Sequence, residues 1–88
     1  MKVFLFYTLG SPDTRKLEEL GERLSRERLE VELVEADSPD GVRLAKLYDI
    51  LERPAVVLAN FDGSPVERWQ GVANLPQPGD VLYYAHKI

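Results

Sequence analysis

The sequence predicts an α/β chain, a mixed four-stranded sheet covered by three helices in the order βαβαββα. Three observations carry that prediction. A continuous apolar run, Val3-Phe4-Leu5-Phe6-Tyr7, suits a strand buried on both faces. Two stretches with apolar residues at helical spacing flank an alternating acidic and apolar segment, the pattern of a strand–helix–strand–helix succession. An Asp62-Gly63 step between two further apolar runs marks an antiparallel hairpin. With 88 residues the chain suffices for one domain, spanning 1–88, which buries about three-fifths of the surface its unfolded form exposes.

Each element follows from its residues. Val3–Tyr7 is expected to be the first and most central strand, closed by Gly10 and Pro12. From about Asp13 to Leu29, Leu17, Leu20, Gly21 and Leu24 form one face of a helix and Glu18, Glu19, Glu22, Arg23, Arg26 and Glu27 the other. Gly21 costs about 1 kcal/mol of helix propensity relative to Ala, so close approach of this helix to the sheet is its expected role. Glu30–Ala36 alternates until Val34, as a strand with one wetter side or at an edge does, and its acidic residues discourage edge-to-edge pairing. After the turn Asp37–Gly41, residues Val42, Leu44, Ala45, Leu47, Tyr48 and Leu51 predict a shorter apolar-faced helix, capped by Ser38 or Asp37 with Pro39 in its first turn. Pro54–Ala59 and Val66–Gln70 are the hairpin strands, and Pro76 and Pro78 lead into a last helix over Gly79–Lys87. The first two strands are expected to pair in parallel across their helix, with the hairpin extending the same sheet.

Composition narrows the function classes. With 44% hydrophobic and 30% charged residues, the chain has the make-up of a globular protein. A net charge of −4 without a dense basic patch argues against general nucleic-acid binding. There is no cysteine, which removes disulfides, thiolate metal ligands and thiol redox chemistry together. No apolar segment approaches the ~20 residues of a membrane-spanning helix. Lys2 followed by the short run Val3–Leu9 lacks the length of a secretory signal, so a cytoplasmic location is expected. His86 is the single histidine and has no cysteine or second histidine with which to form a metal site, so neither metal nor cofactor is expected.

Three groups of residues together resemble the thioredoxin-like superfamily in its compact, glutaredoxin-sized form, from about Lys2 to His86. Phe6-Tyr7-Thr8 ends a strand and is followed by Ser11-Pro12-Asp13-Thr14, where that family has Cys-Pro-x-Cys at the start of its first helix. Tyr48-Asp49-Ile50 and then Pro54 are similar to the family's segment leading to a cis-proline. Asp62-Gly63, Val66 and Gly71 match its closing hairpin and the glycine after it. The resemblance implies a groove between Ser11-Pro12 and Pro54, where the backbone at Arg53 pairs with an extended peptide or with glutathione. It does not carry redox activity to this chain, because the hydroxyls of Ser11 and Thr14 neither form a disulfide nor ionise at neutral pH.

The candidate binding residues are therefore Ser11, Pro12, Thr14, Arg53, Pro54 and Gly71, with no catalytic residue among them. Ser11 and Thr14 have a second reading, with Asp13, as caps of the first helix. Arg15 and Lys16 oppose the positive end of that helix and read most simply as solvated charge. Arg53 offers a bidentate partner to a carboxylate or is an exposed loop residue. Trp69 is expected to pack on a helix, Tyr83 and Tyr84 to be core or rim, and His86 to sit at the C-terminus of the last helix. The leading functional reading is a redox-inactive domain that binds a peptide or partner protein. The alternatives are a glutathione- or thiol-substrate-binding relative of thiol–disulfide oxidoreductases, for which Ser11 has no adjacent base, and a structural protein that dimerises through a sheet edge.

Overall fold

The computed structural model describes residues 1–87. The elements are β1 (Lys2–Tyr7), α1 (Thr14–Arg26), β2 (Glu30–Glu35), α2 (Pro39–Leu47), β3 (Ala55–Ala59), β4 (Pro65–Gln70), a 3-10 turn over Val72–Asn74, and α3 (Pro78–His86). The strands form one sheet in the order β2-β1-β3-β4, with β1 parallel to β2 and antiparallel to β3, and β4 antiparallel to β3. This is the mixed sheet with three helices that the sequence predicts. The alternating acidic strand, β2, lies at the edge.

Period-two alternation in the two inner strands builds a core on each side of the sheet. On one side Val3, Leu5, Val56 and Leu58 pack with Leu17, Leu20 and Leu24 of α1 and Val81 of α3. On the other, Phe4, Phe6, Val34, Ala55, Val57 and Ala59 pack with Leu44 of α2 and Tyr48. The Tyr48 hydroxyl donates to the Gly63 carbonyl at 2.7 Å, tying that core to the hairpin turn. Gly21 allows the close approach expected of it, since a Cβ there would stand 2.9 Å from Leu5 Cδ1 and 3.2 Å from Val31 Cγ1. Trp69 packs edge-on to Tyr84 of α3 at 5.8 Å between centroids, and His86 ends that helix exposed.

Three expectations need correction. α1 stops at Arg26 rather than near Leu29, because Arg28 adopts φ 67° and the N–H groups of Arg28 and Leu29 donate back to the carbonyls of Ser25 and Leu24. This is the Schellman arrangement, with arginine where glycine is usual. α2 starts where it is expected, with Pro39 in its first turn, but stops earlier than its apolar spacing suggests. Ser38 caps it, its hydroxyl accepting from Gly41 N–H at 3.0 Å and donating to the Glu35 carbonyl at 2.7 Å. Asp49, at φ 56°, then closes it with bonds from Asp49 and Ile50 N–H to Lys46 and Ala45. Closure there leaves Leu51, which the spacing places on a buried face, 90% exposed; Val42 and Leu47, within α2 itself, are also exposed, at 40% and 62%. The third concerns the start of α1: Asp13 occupies the cap position, but neither it nor Thr14 caps the helix through its side chain.

Candidate functional site

The strand directions bring one set of loops together. β1 and β2 end, β3 begins and β4 ends at the same edge of the sheet, as the pairings Tyr7–Glu35, Phe6–Ala55 and Ala55–Gln70 require. Loop residues adjoining those strand ends include Ser11, Arg53, Pro54 and Gly71. Ser11, Thr14, Arg53 and Pro54 line one small cleft of about 50 Å³ with Tyr7, Thr8, Asp13 and Leu17, while Pro12 and Gly71 lie outside its wall.

Two consecutive turns deliver Ser11 and Thr14. Ser11 N–H donates to the Thr8 carbonyl at 3.1 Å, with Gly10 at φ 79° in the third place of that turn. Thr14 N–H donates to the Ser11 carbonyl at 3.3 Å, a turn for which Pro12 presets the second place. Both hydroxyls are engaged by the chain itself: Asp13 N–H donates to Ser11 Oγ at 3.2 Å, and Thr14 Oγ1 donates to the Thr8 carbonyl at 3.3 Å. They brace the turn. Ser11 Oγ lies 3.5 Å from Asp13 Oδ2, too far for the short contact that would activate a hydroxyl nucleophile. Among the described residues there is no cluster of metal-ligating side chains.

The opposite wall is held by three long-range contacts. The Arg53–Pro54 peptide bond is cis, and Pro54 is buried. Arg53 Nη1 bonds Asp37 Oδ1 in the β2–α2 turn, so this guanidinium already holds a carboxylate of its own chain. Gln70 Oε1 accepts from Leu51 N–H at 2.7 Å and Glu52 N–H at 3.2 Å, and Gly71 N–H donates to the Pro54 carbonyl at 2.9 Å. The backbone N–H and C=O of Arg53 take no backbone partner among the described residues. Gly71 has φ 86° and ψ 152°, and a Cβ there would fall 2.6 Å from a carboxylate oxygen of Glu52.

Sequence reasoning missed what surrounds this cleft. Leu9, Val42, Leu51 and Val72 are 68%, 40%, 90% and 48% exposed, and each belongs to a segment adjoining the strand ends named above. Val42 and Leu51, with Ala36, Ala45, Ile50 and Arg53, border a hollow of about 320 Å³ between α2 and the loop before β3. No periodicity marks Gln70 or Asp37 as supports of the site.

The fold is shared with solved structures. Thioredoxin 1 of Thermosipho africanus superposes with a TM-score of 0.74 at 10% identity, over 99% of this chain and 92% of that one. A malarial protein gives 0.71 at 16% identity, over 98% and 93%. The C-terminal domain of Neisseria meningitidis DsbD in its reduced form gives 0.59 at 22% identity, over 98% and 79%. The chain has the thioredoxin-like fold. No family model matches the sequence, and no curated protein matches it. Within the thioredoxin-like fold, Ser11 and Thr14 stand at the start of the first helix in a chain without cysteine, which leaves no thiol for redox exchange. No described helix is long and apolar enough to cross a membrane.

Proposed function

We propose that the chain is a redox-inactive, single-domain thioredoxin-like module that binds an extended segment of a peptide or partner protein beside Ser11, Pro12, Thr14, Arg53, Pro54 and Gly71. The observation that carries this reading is that the exposed Val42 and Leu51 border one hollow together with Arg53, which also lines the cleft of Ser11 and Pro54. Single exposed apolar residues are ordinary, whereas a contiguous group marks a contact surface. The open backbone groups of Arg53 support the same reading, since an extended segment pairs with such groups by strand addition. Arg53 positions that backbone through Asp37 rather than meeting the ligand with its charge.

Size favours a peptide over glutathione. The cleft at Ser11 and Pro54 holds about 50 Å³, against the ~300–1,000 Å³ of small-molecule sites, so a ligand must lie across the surface. Isothermal calorimetry with a panel of apolar-rich hexapeptides and, separately, with reduced glutathione tests this. Binding of at least one hexapeptide, lost in Leu51→Asp and Val42→Asp, is expected. Heat from glutathione with none from the peptides would refute the reading.

A further inference from the structure

We infer that the groove between α1 and the Val72–Pro78 segment is a docking surface for an acidic, apolar-interleaved peptide segment of a partner protein. This inference rests on residues of its own and not on the reading of the Pro54 cleft. At about 720 Å³ the groove is larger than that cleft, and its apolar wall is made by Leu20, Val72, Leu75 and Pro76.

Its charge is what selects the occupant. Lys16, Arg23 and Arg26 line it from α1, exposed and without an ion-pair partner among the described residues. Two carboxylates also line it, but Glu19 is taken by Arg15 at 3.3 Å, which leaves Glu22 alone against three cations. The chain as a whole carries −4, so this stripe is a local inversion of its field. Arg23 and Arg26 in the last turn of α1 also favour the helix dipole, but Lys16 stands in the first turn, where a cation is unfavourable. Helix stability therefore does not account for the stripe as a whole.

The dimensions suit a short segment. Lys16 and Arg26 are about 15 Å apart along the helix axis, the length of roughly five extended residues. A strand-like segment with acidic side chains on one side would meet the cations and lay its apolar side chains against Val72 and Leu75. A nucleic acid fits less well, because the groove has no aromatic face on which a base could stack.

Fluorescence anisotropy with a blocked hexapeptide alternating glutamate and valine tests this, using a lysine-for-glutamate version and a single-stranded DNA dodecamer as controls. The acidic peptide is expected to bind about tenfold or more tightly than the lysine version. Its affinity should fall severalfold between about 10 mM and 300 mM salt. Arg23→Glu/Arg26→Glu should weaken it about tenfold, and the gentler Arg23→Gln/Arg26→Gln less, with the circular dichroism of α1 retained in both. Amide shifts on peptide addition should fall at Lys16, Leu20, Arg23 and Val72. Equal affinity for both peptides, tighter binding of the DNA, or shifts confined to Leu51, Arg53 and Gly71 would overturn the inference. The last of those outcomes would leave the reading of the Pro54 cleft standing.

Discussion

Replacing Gly71 by alanine isolates the backbone requirement of the site. At φ 86° and ψ 152° this residue lies in a region essentially reserved for glycine, where a side chain costs about 1–3 kcal/mol. Alanine also stiffens the unfolded chain and returns about 0.4–1 kcal/mol, so a net loss of about 1–2 kcal/mol is expected. For a chain of this size that lowers the melting temperature by about 5–15 °C, measurable by circular dichroism. A second cause competes, because the new Cβ would meet a Glu52 carboxylate oxygen at 2.6 Å. That oxygen ends a flexible, exposed side chain and swings aside at small cost. Gly71→Ala should therefore cost as much in a Glu52→Ala background, to within about 0.5 kcal/mol. An unchanged melting temperature in Gly71→Ala would refute the backbone argument, and full rescue by Glu52→Ala would replace it with a steric one.

Other outcomes follow from the helix ends and turns. Arg28→Gly should stabilise the fold by about 0.5–1 kcal/mol in urea denaturation, since φ 67° is costly for arginine, and Asp49→Gly should gain less because aspartate tolerates φ 56° better. Ser38→Ala should cost about 1 kcal/mol by the same assay, removing the cap on Gly41 N–H. The Ser64 hydroxyl donates to the Asp62 carboxylate and, with Ser64 N–H, holds its pKa below 3.8. The turn's contribution is thus present above pH 3.8 and is lost as pH falls through the lower folded value. Carbon-detected NMR titration should place Asp62 below 3.8 in the native chain and nearer to it in Ser64→Ala. At the other end of the scale, hydrogen bonding to Glu32 raises the Lys2 pKa above 10.5, so that tie persists through neutral pH and loosens only as pH rises through the raised value.

The sheet was legible because its signals are local. The apolar run Val3–Tyr7 and the Asp62–Gly63 turn each fit within a few residues, and both stand where they were expected. Helix ends were less legible, since Arg28 and Asp49 occupy a conformation that a sequence normally announces with glycine. That one ambiguity misplaced Leu51, which helical spacing buries and the closure of α2 at Asp49 turns outward. Of the candidate binding residues named from the sequence, Ser11, Thr14, Arg53 and Pro54 line one cleft, because the strand order brings their loops to the same end of the sheet. The supports of that cleft were not legible, because Arg53–Asp37 and Gln70–Leu51 join residues far apart in the chain with no repeating pattern between them. The α1 groove combines residues of α1 with the segment after β4, so no single stretch discloses it.

The proposed function puts a partner segment across the end of the sheet at Arg53 and Pro54. Amide chemical-shift mapping during titration with the tightest apolar-rich hexapeptide tests it most directly. A contiguous set of shifts at Leu9, Ser11, Leu51, Arg53 and Gly71 is expected. Shifts confined to the β2 edge, or scattered over the molecule without a focus, would contradict it.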